Sequence, residues 1–237
     1  MLMLDIKVCL LCKNELMSFS KIYNKLNKEL KRIKIKYFVI DGGSTDGSLN
    51  FYKRKKINFI KQKSFGRGSA IIEAFEKTKC DALIFFSPDG NENILDVIKV
   101  IRLLNKKNDL IIASRMMKNA KNEEDDDFLK FRKWANNIFN LLANIFFNKN
   151  KFVTDSINGF RGMKKKSFLK LNCDEKFYAI EYQMTIRSMK LGFKIKEFPT
   201  IENPRIAGVS QAPSIPTGIT FIRALLKEII IGRSFCD

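Results

Sequence analysis

Short apolar runs alternate with longer mixed segments through the first half of the chain. Ile6 to Leu11, Tyr37 to Ile40, Ile57 to Ile60, Ala82 to Phe86 and Leu110 to Ala113 are each bounded by polar or turn-forming residues. Runs of this length and composition predict buried strands. Between them, Ser18 to Lys31, a short stretch near Leu49, Gly66 to Phe75 and Ile94 to Leu104 read as helices. Strand and helix in strict alternation predict an α/β fold: a mostly parallel, Rossmann-like sheet with helices on both faces.

After Arg115 the rhythm changes. Lys118 to Asp127 is polar and ends in Glu123-Glu124-Asp125-Asp126-Asp127, which reads as a solvated loop rather than a metal site. A long amphipathic helix is expected from Phe128 to Phe147, with Phe131, Trp134, Ile138, Leu141, Leu142, Ile145 and Phe146 at helical spacing. That stripe suits either core packing or a lipid surface, and core is the default reading. Further on, Tyr178 to Leu191 predicts a helix and Ile195 to Pro199 a strand. Pro204 to Pro216 reads as a loop, and a final amphipathic helix covers Ile219 to Ile231.

Composition narrows the picture. The 237 residues fit one domain, and a hydrophobic content of 45% is ample for a core. No stretch of eighteen apolar residues predicts a membrane span, and Met1 to Leu11 does not read as a signal peptide. The five cysteines show no framework spacing, and strand alternation sets Cys9 and Cys12 on opposite faces, against a redox pair. The cytosol is the expected compartment. Histidine is absent, which excludes an imidazole base. The net charge of +19 favours an anionic partner: nucleic acid, an anionic membrane surface or a phosphorylated substrate. No aromatic-basic surface motif or helix-turn-helix pattern accompanies it, so nucleic acid is not the expected partner.

Two carboxylates stand at strand ends. The second strand runs into Asp41-Gly42-Gly43-Ser44-Thr45-Asp46, whose last residues can cap a helix. The fourth runs into Ser87-Pro88-Asp89-Gly90-Asn91. In open α/β sheets ligands bind at this carboxyl edge, and neither turn has a P-loop or dinucleotide pattern. Hard divalent cations take oxygen ligands, and Mg²⁺ on a diphosphate needs only one or two carboxylates. Asp89 is therefore the leading candidate metal ligand.

Other segments join these two. They are Leu11-Cys12-Lys13-Asn14-Glu15 after the first strand, Gly66-Arg67-Gly68-Ser69-Ala70 opening a helix, and Ala113-Ser114-Arg115 after the fifth strand. Arg132 and Asn136 follow at a one-turn spacing, then Thr154-Asp155-Ser156-Ile157-Asn158-Gly159-Phe160-Arg161, the helix with Glu181 and Gln183, and Arg205-Ile206-Ala207-Gly208-Val209-Ser210-Gln211. In order and spacing, roughly residues 5 to 215 resemble the inverting family-2 glycosyltransferases of the GT-A fold. Within these they are most similar to the dolichyl- and polyprenyl-phosphate mannosyl- or glucosyltransferases, here without a membrane domain.

The resemblance implies transfer of a hexose from a nucleotide sugar, of GDP-mannose or UDP-glucose type, to a polyprenyl phosphate, with inversion and assisted by Mg²⁺ or Mn²⁺. It implies a nucleotide-sugar site at Leu11, Lys13, Glu15, Asp41, Gly66, Ser87, Asp89, Arg205 and Gln211, with Asp41 on the base or ribose. The metal would sit at Asp89 and Asn91, and Ser87 stands where the family has a first Asp. The acceptor phosphate would meet Arg115, Arg132 and Asn136; arginine suits this task through its planar, permanently charged fork. Asp155 would lie near the sugar or lipid phosphate, and Phe160 in the core. Asp89, Arg115, Arg132, Asp155 and Arg205 form the expected catalytic set. The nucleotide-binding half spans about 1–115, the acceptor half about 116–215 and a C-terminal amphipathic helix about 216–237. The +19 charge and the helices around Phe139 and Ile222 predict a peripheral protein on the cytoplasmic face of a membrane. The alternatives are a surface-glycan acceptor, with Asp155 or Glu181 as base, and a degenerate non-catalytic subunit.

Overall fold

The structure is a computed structural model that describes residues 4–122, 131–207 and 214–236; side chains at 131, 132, 214 and 215 are not described. A seven-stranded sheet organises the chain in the order β3-β2-β1-β4-β6-β5-β7. Its strands are β1 (Ile6–Cys12), β2 (Lys36–Asp41), β3 (Phe59–Lys61), β4 (Ala82–Phe86), β5 (Leu110–Ser114), β6 (Arg161–Lys164) and β7 (Ile195–Pro199). Only β6 runs antiparallel, between β4 and β5. The central strands β4 and β5 are apolar because both faces are covered, and they are buried at every position.

Helices α1 (Leu16–Arg32), α2 (Ser48–Arg54), α3 (Arg67–Lys77) and α4 (Asp96–Asn105) connect the first five strands. Two cores result, one on each side of the sheet. Cys9 belongs to one and Cys12 to the other, as strand alternation requires. The second half of the chain supplies α5 (Phe131–Phe147), α6 (Lys165–Leu171), α7 (Ile180–Lys190), α8 (Ser214–Ile231) and a short 3₁₀ turn, Ser234–Cys236. Strand β6 and helix α6 were not expected. Arg161 and Lys164 at the two ends of β6 break the apolar run that marks the other central strands. Helix α8 starts before the expected boundary, so Pro216 lies in its first turn, where a missing N–H costs nothing. The acidic run 123–127 and Gln211 lie outside the described residues.

The stripe on α5 overturns the core reading. Trp134, Ile138, Leu141 and Ile145 form one line along the helix, and it is the exposed one, with Trp134 56% and Ile145 66% accessible. Leu142 is half-buried and Phe146 exposed. The side packed on the protein carries Phe139, Asn140, Ala143 and Asn144. The two buried asparagines hold a loop. Asn140 Nδ2 donates to the Thr154 carbonyl and its Oδ1 accepts from Ser156 N. Asn144 Nδ2 donates to Val153 O, and its Oδ1 accepts from Val153 N. Buried amides are tolerated when so satisfied.

Helix α8 shows the same inversion. Phe221, Ala224, Leu225 and Glu228 face inward, while Ile219, Ile222, Leu226, Ile229 and Ile230 are exposed. Glu228 fixes the helix to α7: it accepts from Arg187 Nε at 2.8 Å, Lys190 Nζ at 2.6 Å and Gln183 Nε2 at 3.1 Å. The two helices meet through Phe139 and Phe221, and both rings touch Tyr182 of α7. Among the described residues no helix is long and apolar enough to cross a membrane.

Candidate active site

The strand ends at β1, β2 and β4 open into a cavity of about 510 Å³. Leu11, Lys13, Glu15, Gly66, Ser87, Asp89, Asn91 and Arg205 all line it. Its walls are completed by Phe65, Arg67, Glu92, Asn158, Phe177, Tyr178 and Glu202.

Asp41 lies under this cavity rather than in its wall, between the lining residues Ile40 and Gly42. It is 1% exposed. Its Oδ1 accepts from Gly43 N and Ser44 N, and its Oδ2 from Ser44 Oγ at 2.7 Å and Tyr52 OH at 3.3 Å. The carboxylate is thus taken up by the turn it begins. Asp46 does the same one step on, accepting from Ser48 N and from Leu16 N at the start of α1. Asn14, with φ of 55°, clasps the turn by accepting from Thr45 N on its side chain and donating its own N–H to Ser44 Oγ. The β1 and β2 ends are therefore one stitched unit, and Asp46 satisfies the first N–H of α1 from across it.

The Gly66–Gly68 segment works differently from its resemblance. A side chain on either glycine would strike the backbone of Lys176 or Glu175. The N–H groups of Gly68 and Ser69 donate to the Lys176 carbonyl, so the start of α3 is closed to a phosphate. These glycines admit the 175–177 loop, which delivers Phe177 to the cavity beside Phe65. Lys13 lies over the Phe65 ring, 4.8 Å from its centre. Phe65 and Phe177, which no motif marked, give the cavity an aromatic wall.

The cation end centres on Asp89. Arg205 bridges two acids, with Nη1 2.9 Å from Asp89 Oδ2 and Nη2 2.8 Å from Glu15 Oε1. Asp89 Oδ1 accepts from Asn91 N. Among the described residues, two buried polar atoms here have no hydrogen-bond partner: Asn91 Oδ1, an acceptor, and Arg205 Nε, a donor. A carboxylate and an idle amide oxygen suit a hard divalent ion, and an idle guanidinium N–H suits a diphosphate oxygen. Among the described residues no three acidic, Cys or His side chains gather into a ready metal cage. The donor set is of the kind that a phosphate-bearing substrate completes.

Glu92 was missed by the motifs. Its Oε2 accepts from Ser87 N. Burial, and next the Asp89 carboxylate, push its carboxyl well above the usual range. Glu15 is also raised, by burial, against the lowering effect of Arg205.

From Asn91 a polar chain leads to Arg115. Asn91 Nδ2 donates to Glu202 Oε1 at 3.4 Å, and Arg115 Nη1 lies 3.8 Å from the same oxygen. Asp155, fully buried, accepts from Arg115 through N, Nε and Nη2, the last two a bidentate fork of 2.9 and 3.1 Å. Glu197 then holds the Asp155 and Thr154 N–H groups. Glu181, the other expected base, is paired with Arg67 at 2.6 Å. Phe160 is buried as expected. Asn136 is half-buried on α5, one turn after Arg132, whose side chain is not described.

Comparison with known proteins gives this arrangement its class. Residues 7–171 match the model for glycosyl transferase family 2. The chain belongs to that family. It is 28% identical over 171 residues to glycosyltransferase AglJ of Haloferax volcanii, a match covering 72% of this chain and 54% of AglJ. The chain thus spans about half the length of that curated relative. In fold it is similar to glucosyl-3-phosphoglycerate synthase of Mycobacterium tuberculosis, with TM-score 0.73 at 17% identity over 94% of this chain and 80% of that one. The complex of that synthase with Mn²⁺ and UDP-glucose superposes with TM-score 0.70 at 16% identity, over 98% and 78% of the two chains. The α/β sheet is therefore of the GT-A type.

Proposed function

We propose that the protein transfers a hexose from a nucleotide sugar, of GDP-mannose or UDP-glucose type, to the phosphate of a polyprenyl lipid, with inversion. The observation that carries this reading is the pairing of the acids once considered as bases. Asp155 is forked to Arg115, and Glu181 to Arg67. A hydroxyl acceptor must lose a proton to a positioned base. A lipid phosphate is already an anion and needs none. In the reaction its oxygen attacks the anomeric carbon opposite the leaving group. The bond from that carbon to the diphosphate breaks, and the nucleoside diphosphate leaves with the electron pair.

What remains for the protein is positioning and charge. Arg205 meets the leaving diphosphate with its idle Nε–H. Phe65, Phe177 and Lys13 bound the nucleotide end. Arg115, and with it Arg132, receives the acceptor phosphate, and Asp155 holds Arg115 in orientation. Asp89 and Asn91 would hold Mg²⁺ or Mn²⁺, which would supply positive charge to the diphosphate. The solved relative's complex with Mn²⁺ and UDP-glucose supports a divalent ion and a nucleotide sugar for this fold. A lipid acceptor places the protein at a membrane surface, and the +19 charge suits the anionic cytoplasmic leaflet.

Glu92 favours a second reading. A carboxyl held above its usual range in the cavity is suited to serve as base toward a glycan hydroxyl. The deciding experiment is transfer from a panel of radiolabelled nucleotide sugars to a short polyprenyl phosphate with Mg²⁺ or Mn²⁺. Organic-extractable product that disappears in Asp89→Ala is the expected result. Donor hydrolysis without lipid product moves the acceptor to a glycan, and the absence of both overturns transfer by this chain.

A further inference from the structure

The acids that line the cavity are not equivalent. Glu15 and Asp89 both meet Arg205, and Glu202 lies 3.8 Å from Arg115. Glu92 meets no cation in this way. Among the described residues it forms no ion pair, and its one hydrogen bond runs from Ser87 N to Oε2 at 2.7 Å. Arg67, another lining residue, is paired with Glu181 instead. The Asp89 carboxylate acts on Glu92 with like charge. A divalent cation between two such carboxylates turns their repulsion into attraction.

Two observations beside the acids point to the same ion. Asn91, only 9% exposed, carries a side-chain oxygen that has no hydrogen-bond partner among the described residues. Its other side-chain atom is engaged, since Nδ2 donates to Glu202. The turn itself brings Glu92 into place. Gly90, with φ of 87°, lets the chain reverse after Asp89, and the Glu92 carboxylate comes back to the backbone of Ser87. Ser87 is the position where the family has an acid and this chain has none. A carboxylate is thus returned to the end of β4 from five residues further on.

We propose that Glu92 supplies the carboxylate that position 87 lacks, and that with Asp89 and the Asn91 amide oxygen it holds Mg²⁺ or Mn²⁺. The inference rests on the assignment of the metal to Asp89 and Asn91. Hard divalent ions take carboxylate and amide oxygens, and Mg²⁺ is typically held by one or two carboxylates with substrate phosphates in the remaining positions. Two carboxylates and an amide fall short of a closed cage and leave room for a diphosphate. This use of Glu92 competes with its use as a base toward a glycan hydroxyl. A base is needed for turnover; a ligand is needed to hold the ion when no acceptor is present.

The test reads the ion directly. The electron paramagnetic resonance signal of free Mn²⁺ is followed as the ion is added to the protein alone, and then with UDP or GDP present. Wild type should take up Mn²⁺, and Asp89→Ala should lose most of that uptake. Glu92→Gln keeps an acceptor for Ser87 N, so its melting temperature should stay near that of wild type. Its Mn²⁺ affinity should fall roughly tenfold or more. Glu92→Asp keeps the charge but draws it back by one methylene, and its affinity should fall as well. Ser87→Asp added to Glu92→Gln should restore most of what was lost. Unchanged affinity in Glu92→Gln, with uptake that still depends on Asp89, overturns the proposal and leaves Glu92 to the base reading. Full affinity in Glu92→Asp overturns it too, because charge alone would then suffice. So does a double variant that binds no better than Glu92→Gln. Wild type that takes up no Mn²⁺, with or without nucleotide, overturns the metal site at Asp89 and this inference with it.

Discussion

The carboxyl edge of β1, β2 and β4 and the layer formed by α5 and α8 obey the same physical rules with opposite results. At the sheet edge, apolar strands are buried on both sides and deliver polar residues outward into a cavity. In the helical layer, Asn140, Asn144 and Glu228 are buried beside Phe139, Ala143, Phe221 and Leu225, while isoleucine, leucine and tryptophan also face out. The edge has a local explanation: Asp41 and Asp46 satisfy the backbone within a few residues of themselves. The helical layer has a distant one. Asn140, Asn144 and Glu228 satisfy groups in the 153–156 loop and on α7. Periodicity tells that a helix has two faces; only long-range partners tell which is buried.

The comparison predicts large costs wherever those inward polar groups are removed. Glu228→Ala leaves Arg187 and Lys190 as uncompensated buried cations and should cost about 3–5 kcal/mol in a urea or guanidinium titration. Adjacent positions on α5 should then behave as opposites. Phe139→Ala empties a packed site and should cost about 3–5 kcal/mol, whereas the exposed Ile138→Ala should stay within about 0.5 kcal/mol. Equal costs at the two positions would break the assignment of faces. Asn140→Ala should lie between, at about 1–3 kcal/mol, because it strands the Ser156 N–H and the Thr154 carbonyl.

The same contrast explains what was legible. Strands β4 and β5 were visible as apolar runs because a strand covered on both faces tolerates little else. Asp89, Glu15 and Arg205 were placed by motif, and they meet in space. Phe65, Glu92 and Glu202 were not, because they reach the cavity through tertiary packing alone and carry no local pattern. Gly66 and Gly68 were noticed for a ligand, yet they make room for the backbone of Glu175 and Lys176. Strand β6 escaped because its basic residues, including the fully buried Arg161, mask an apolar signal. Arg161 is satisfied by the Asn158 and Ser156 carbonyls of the loop before it and by the Glu181 carbonyl of α7.

At the sheet edge the smaller effects test whether Arg205 stands in a cation's place. Arg205→Ala frees the Asp89 and Glu15 carboxylates. Without nucleotide, Mn²⁺ should bind the variant roughly tenfold more tightly by calorimetry, about 1.4 kcal/mol, because a fixed competing charge is gone. Transfer, in contrast, should fall, since the charge that meets the leaving diphosphate is gone too. A variant with unchanged Mn²⁺ affinity would remove Arg205 from the metal argument.

The smallest predicted effect joins the two regions through Glu197, which holds the Thr154 and Asp155 N–H groups. Burial raises its carboxyl above the ordinary 4.5, and those hydrogen bonds only partly offset it. The folded state therefore keeps this proton to a higher pH than the unfolded chain does. Stability contributed by the group is complete below pH 4.5 and is lost as pH rises through the folded value. Glu197→Gln removes the titration while retaining a polar side chain of the same size. The melting temperature of wild type relative to Glu197→Gln should therefore decline as pH rises from about 4.5 toward neutrality, then level off. A relative stability that rises over the same interval would mean that the three hydrogen bonds from Thr154 and Asp155 outweigh burial, and that Glu197 is held as a carboxylate to orient Asp155 against Arg115.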